Sequence, residues 1–108
     1  NKYIVNSAKR ISKLGIDVLK TEAPNNLKYC KKLSEKIKIP WIVLSGGRKF
    51  EEFKKLVETA AKGGASGFAG GRAIWQDTFK DEKLIKDVSV QRLKELSEIV
   101  RSYGSPIP

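Results

Sequence analysis

Lys20 ends the apolar stretch Ile16-Asp17-Val18-Leu19-Lys20 and is followed by Thr21 and Glu22. An ammonium group in a buried strand is costly unless it has a partner or a task. Two readings of it stand. In one, Lys20 pairs with Glu22 at the strand end or reaches solvent. In the other, its amine is a nucleophile that forms a Schiff base with a carbonyl compound. A free alkylammonium group, with a pKa of about 10.4, is neutral in about one copy in 2500 at pH 7. A nucleophilic lysine therefore needs dry surroundings, such as a barrel interior, or a neighbouring cation.

The second set of residues is built on glycine. Gly46-Gly47 follows Ser45, and Gly70-Gly71 precedes Arg72. Glycines let backbone N–H groups approach an anion closely, and a helix start adds a favourable dipole. An arginine contributes a planar fork of donors that matches a phosphate. Either glycine pair alone reads as a turn. Both together, with Ser45 and Arg72, read as an anion site. Other chemistry is excluded by what is missing. The chain has no histidine and one cysteine. A Ser-His-Asp or Cys-His nucleophile system is therefore excluded within it, and a structural zinc site is not expected. Cys30 sits on an apolar helical stripe, where a small buried hydrophobe is expected. Trp41 and Trp75 read as core or helix-layer residues rather than substrate stackers. Asp17 faces away from Lys20 and has little catalytic weight.

The elements that position these residues follow from periodicity. Ile16–Lys20, Trp41–Ser45 and Ser66–Gly70 are short apolar runs bounded by Gly, Pro or polar residues, as buried parallel strands are. They begin about 25 residues apart, the spacing a strand-helix-strand unit requires. Strand alternation puts Val18, Lys20 and Glu22 on one face, Leu19 and Thr21 on the other. Between the strands the period is helical. Leu27, Cys30, Leu33 and Ile37 share one face after the N-capping Asn25-Asn26. Phe50, Phe53, Leu56, Val57, Ala60 and Ala61 share another, closed by Gly63-Gly64. A helix over about 4–14 precedes the first strand, with Gly15 closing it. A last helix carries Val90, Leu93, Leu96, Val100 and Tyr103. The tail 104–108 reads as a frayed terminus.

The expected fold class is α/β, with three parallel strands alternating with helices in one segment, 1–108. Two architectures fit: an open doubly wound sheet, or part of a (β/α)8 barrel. A barrel takes roughly 250 residues, so this chain supplies less than half of one. In both, chemistry belongs at the carboxyl ends of the strands. Lys20, Ser45-Gly46-Gly47 and Gly70-Gly71-Arg72 all fall there.

Composition bounds the partners. The 108 residues carry 22 Lys+Arg against 12 Asp+Glu, a formal charge of +10. Such a balance first suggests nucleic acid. The basic runs at Lys9-Arg10-Lys13, Lys31-Lys32-Lys36 and Lys54-Lys55 instead fall on the polar sides of amphipathic helices. No nucleic-acid partner is expected, and an anionic small substrate suits the charge. No apolar run reaches the ~18 residues of a membrane span, so no membrane partner is expected. One cysteine fits a reducing compartment, and the expected location is cytoplasmic. The chain holds no methionine. Its start is read either as a trimmed N-terminus or, more sharply, as the tail of a longer protein.

Three blocks then carry a family resemblance: Ile16-Asp17-Val18-Leu19-Lys20-Thr21-Glu22, Pro40-Trp41-Ile42-Val43-Leu44-Ser45-Gly46-Gly47, and Gly64-Ala65-Ser66-Gly67-Phe68-Ala69-Gly70-Gly71-Arg72-Ala73-Ile74-Trp75. In order and separation they resemble the C-terminal part of class I aldolases of the tagatose-bisphosphate and sulfofructosephosphate aldolase group. Asp87-Val88-Ser89 and the helix through Leu96, Ile99 and Val100 resemble that family's ending. The resemblance implies strands six to eight of a (β/α)8 barrel and a carbon–carbon lyase cleaving a ketose 1-phosphate. It implies that Lys20 is the Schiff-base lysine, with Glu22 as a weaker candidate for assisting proton transfer. It implies that Ser45, Gly46, Gly47, Gly70, Gly71 and Arg72 bind the phosphate of dihydroxyacetone phosphate. No cofactor and no metal are required.

The family usually has valine where Thr21 stands, a position that faces the helices. The first five strands would be missing, and with them the acid/base carboxylate and the pocket for the far end of the sugar. The isolated chain is therefore expected to be inactive, and to self-associate or require its missing half. The competing reading from the residues is a non-catalytic basic α/β module that binds phosphate or nucleic acid.

Overall fold

Each of the three apolar runs forms a strand, and all three strands are parallel. The computed structural model describes residues 1–107. Helix α1 (Lys2–Ser12) leads into β1 (Leu19–Thr21), α2 (Leu27–Lys36), β2 (Trp41–Leu44), α3 (Phe50–Lys62) and β3 (Gly67–Ala69). A single turn, α4 (Arg72–Trp75), follows β3. Then come α5 (Glu82–Leu84), a π-helical stretch (Ile85–Ser89) and the last helix, α6 (Val90–Tyr103). The sheet order is β1-β2-β3. Leu19 pairs with Trp41 and Lys20 with Ile42, while Val43 pairs with Phe68 and Leu44 with Ala69.

That register sorts the side chains by face. Leu19, Trp41 and Val43 share one face and are buried, whereas Lys20 on the opposite face is exposed and Ile42 and Leu44 are half-buried. Phe68 lies on the buried face and meets Phe53 of α3 edge-on, with ring centroids 6.4 Å apart. α1 packs on α2, α2 on α3, and α3 on α6, with α1 touching β1 and α6 touching β3. One core cluster joins Val5, Ala8, Leu33, Phe53 and Leu96 to that face of the sheet. All four long helices therefore cover one face and leave the other bare. A doubly wound sheet carries helices on both faces. A single outer helix layer is the arrangement of a (β/α)8 barrel sector.

Several boundaries move from their expected places. β1 starts at Leu19 rather than Ile16 because its first ladder bond is Leu19 N–H to the Pro40 carbonyl, 3.0 Å. β3 spans three residues, Gly67–Ala69, rather than five. α1 starts at Lys2 and ends at Ser12, three residues before Gly15. Asn26 caps α2 as expected, its Oδ1 accepting from Tyr29 N–H at 2.9 Å. Leu27 is more exposed than its place in the apolar stripe implied. The six residues expected on the buried face of α3 are all buried. At its end, Gly64 is left-handed (φ 108°), while Gly63 is a close-approach glycine whose added Cβ would strike Cys30.

The last helix departs most. Of the five residues expected on its inner face only Leu96 is buried, and Val90, Leu93 and Tyr103 are more than 40% exposed. Ile99 and Val100 complete the true stripe. The tail is not frayed at its start, because Gly104 N–H bonds the Val100 carbonyl and Ser105 N–H the Ala65 carbonyl. Pro108, the last residue of that expectation, lies outside the described residues.

Trp41 is a core residue, and its indole N–H donates to Ser34 Oγ at 2.9 Å. Trp75 is not in the core, being 45% exposed and edge-on to Phe79. The lysines of the basic runs lie on solvent faces; Lys54 is half-buried and pairs with Glu95 at 3.5 Å. No helix among the described residues is long and apolar enough to cross a membrane.

Candidate active site

Parallel strands deliver their carboxyl ends to one edge of the sheet, where the loops after β2 and β3 bring Gly46, Gly47 and Arg72 together. Lys20 occupies the middle of β1 on the bare face. It is exposed, so the buried-strand cost that drew attention to it does not arise within these 107 described residues. Glu22 follows the strand and is exposed. Among the described residues neither Lys20 nor Glu22 takes part in an ion pair. Of the two structural alternatives for Lys20, the pair with Glu22 is not formed and the side chain reaches solvent instead. Its neighbours on the bare face are Ile42, Leu44, Gly67 and Ala69, apolar or without a side chain. This is a surface that would be dry if covered.

The loop after β2 is shaped by its glycines. Gly46 and Gly47 are both left-handed, with φ of 59° and 79°. An L side chain at either would be strained. The loop also closes on itself, through Arg48 N–H to the Ser45 carbonyl at 3.1 Å. Ser45 is buried. The Arg72 guanidinium stands beside Gly47, where an added Cβ would meet Nη2 at 3.0 Å and Cζ at 3.4 Å. Arg72 thus reaches across from the β3 loop to the β2 loop, as the two glycine pairs suggested.

The sequence reading missed Arg48. Its Nη1 would lie 3.0 Å from a Cβ at Gly46, and it donates to the Ser45 carbonyl at 3.2 Å. Two guanidinium groups therefore flank consecutive glycines of one loop. The signal was in the sequence, since Arg48 directly follows Gly47, but nothing in spacing alone tells which way its side chain turns. Two cations beside exposed backbone suit a doubly charged anion.

Gly70 and Gly71 differ from one another. A Cβ on Gly70 would collide with Ile74, so this glycine lets α4 fold back tightly onto the end of β3. Gly71 has open space beside it and precedes Arg72, the first residue of α4. Behind these loops runs a groove of about 780 Å³, whose lining includes Arg48, Phe50, Arg72, Asp77, Arg92 and Glu95. Lys20 and Glu22 do not line it. Arg92 holds Asp77 through two bonds of 2.7 and 3.0 Å. The Arg92 hydrogen bond keeps the Asp77 carboxyl below the usual carboxylate range. Among the described residues no cluster of three or more His, Cys, Asp or Glu side chains could hold a metal ion.

Residues 1–77 match the family described as DeoC/LacD family aldolase. Among solved structures, the chain is similar to an archaeal fructose-1,6-bisphosphate aldolase at 25% identity and a TM-score of 0.76. The match covers 94% of this chain and 38% of that one. It is also similar to an archaeal fructose-1,6-bisphosphate aldolase whose catalytic lysine is covalently bound to the carbinolamine intermediate of the substrate. There the identity is 24% and the TM-score 0.73, over 92% of this chain and 37% of the other. The chain thus spans somewhat more than a third of the length of these structures.

Proposed function

Because the chain belongs to the DeoC/LacD family of aldolases, we propose that it carries the Schiff-base lysine and the phosphate site of a class I aldolase. Lys20 is the nucleophile. The observation that carries this reading is positional. Lys20 stands on the bare, apolar-flanked sheet face, while Gly46-Gly47 and Arg72 form an anion cradle on the loops that follow the next two strands. One end of a phosphorylated ketose would be held there with its carbonyl directed toward the amine.

In this mechanism the neutral Lys20 amine adds to the ketose carbonyl, and loss of water from the carbinolamine gives an iminium. The hydroxyl on the carbon β to the iminium gives up its proton, the bond between the α and β carbons breaks, the iminium accepts that electron pair to become an enamine, and the aldehyde product leaves. Hydrolysis of the remaining enamine, after protonation, frees dihydroxyacetone phosphate. Glu22, exposed beside Lys20, is the proposed local proton carrier. Ser45, Gly46, Gly47, Gly70, Gly71 and Arg72 form the phosphate site, with Arg48 as an added cation. The reaction as proposed uses no cofactor.

The segment corresponds, in this proposal, to strands six to eight of the barrel. A fructose-1,6-bisphosphate substrate is supported by the activity of the solved neighbours. The tagatose-bisphosphate and sulfofructosephosphate alternatives are supported by the three sequence blocks. The rest of the barrel, or a second copy of the chain, would cover the bare face and supply the pocket for the far end of the sugar. The isolated segment is accordingly proposed to be inactive. A cytoplasmic location is supported by the single, unpaired cysteine.

Borohydride reduction tests the proposal. The full-length protein carrying this segment is incubated with dihydroxyacetone phosphate, reduced and mapped by peptide mass spectrometry. A stable adduct on Lys20, lost in Lys20→Met, is the expected result. An adduct on another lysine, or none, overturns the assignment.

A further inference from the structure

Arg92 lies outside both glycine loops, yet it contacts the element next to each. From α6 its Nη1 donates to the Ile74 carbonyl at 2.9 Å and to Asp77 Oδ1 at 2.7 Å, while Nη2 donates to Asp77 Oδ2 at 3.0 Å. Ile74 belongs to the single turn that Arg72 opens. The same guanidinium stacks over the ring of Phe50, 5.1 Å from its centroid. Phe50 is the first residue of α3 and follows Gly47 by three positions.

A second contact reinforces the first. Buried Ser89, from the π-helical stretch, places its Oγ 3.0 Å from the same Ile74 carbonyl and 2.6 Å from Thr78 Oγ1. Thr78 Oγ1 in turn lies 3.1 Å from the Trp75 carbonyl. Two hydroxyl protons are shared among three contacts, so two of the three are donated at a time, at the end of a helix only four residues long. So short a helix has almost no internal ladder and depends on such outside partners to keep its orientation.

We propose that Arg92 is a positioning residue for the anion site, fixing the Arg72 turn against the Gly46-Gly47 loop. The Arg72 fork occupies the space a side chain on Gly47 would fill, 3.0 Å from the position of its Cβ, so a small rotation of the 72–75 turn takes it off the cradle. Arg92 is joined to both sides of that contact, through the Ile74 carbonyl on one and the Phe50 ring on the other. This inference rests on the phosphate-site reading above.

The test uses the full-length protein, with inorganic phosphate as the binding probe and kinetics on phosphorylated and unphosphorylated forms of the same carbonyl compound. Arg92→Ala is expected to weaken phosphate binding and to raise KM for the phosphorylated compound by roughly 10-fold, the scale of one lost hydrogen bond between charged groups. kcat and the unphosphorylated reaction are expected to change little. Arg92→Lys should restore only part, since an ammonium cannot hold Asp77 with a planar fork. Asp77→Asn, at an exposed side chain that the fold does not need buried, should give a smaller loss in the same direction. Equal losses on both compounds, or unchanged phosphate binding in Arg92→Ala, would overturn the proposal. Arg72→Ala separates the two levels. If it weakens phosphate binding while Arg92→Ala does not, positioning fails and the phosphate site stands. If Arg72→Ala has no effect, both readings fall.

Discussion

Alanine at Gly47 and alanine at Gly15 impose almost the same backbone strain with different surroundings. Gly47 has φ of 79° and Gly15 of 81°. An L residue in this conformation costs about 1–2 kcal/mol, so both variants should lose that much stability. Their neighbourhoods differ. Nothing lies within 4 Å of a Cβ at Gly15, whereas a Cβ at Gly47 meets Arg72 Nη2 at 3.0 Å. To regain ordinary contact at about 3.4 Å the guanidinium must retreat by about 0.4 Å. A hydrogen bond between charged groups is worth about 1.5–3 kcal/mol, so loosening the one Arg72 would offer a phosphate should cost up to about tenfold in affinity. Chemical denaturation should therefore show matched losses for the two variants. Phosphate titration calorimetry should show a loss of about that size in Gly47→Ala alone. A loss of phosphate affinity shared equally by both variants would refute the argument, since it would trace the effect to global strain. So would a Gly47→Ala protein that binds phosphate as tightly as the wild type.

Two further outcomes concern the packing that carries the site. Ser34 Oγ accepts from the Trp41 indole at 2.9 Å and donates to the Gly63 carbonyl at 2.6 Å. Ser34→Ala strands both and should lower unfolding stability by about 1–3 kcal/mol; an unchanged denaturation midpoint would remove this hydrogen-bond pair from the account. Burial pushes the Cys30 thiol from an ordinary 9.0 up to about 11. The folded thiol stays protonated while the unfolded one ionises, so its contribution to stability is complete below about pH 9 and is lost as pH rises from there through about 11. Wild type should accordingly lose more stability than Cys30→Ala between pH 8 and pH 10.5, and parallel losses would contradict this.

Local chemistry made much of the fold legible. The apolar runs at 16–20, 41–45 and 66–70 are too short for helices and spaced for crossovers, and a strand overlaps each, the first shifted to 19–21. The α3 stripe is buried in full, because six apolar residues at helical spacing leave one side that can face the sheet. The α6 stripe was misread because its apolar residues outnumber the positions that α3 and β3 can cover. Leu93 and Val90 match the period as well as Ile99 does, yet the contact is set by where α6 crosses α3.

The candidate site divides the same way. Residue type and order determined that a lysine, two glycine pairs and Arg72 would stand at the ends of parallel strands, because strand direction alone brings those ends to one edge. Tertiary structure decided the rest. It placed every long helix on one face, which separates a barrel sector from a doubly wound sheet. It turned Arg48 back onto Gly46 and set Arg92 between α3 and the Arg72 turn. It also left Lys20 exposed on a sheet face that another part of a barrel would cover. Periodicity reports which side of an element is apolar. It carries no information on which element meets that side, nor on the rotamer a long charged side chain adopts once the partner is there.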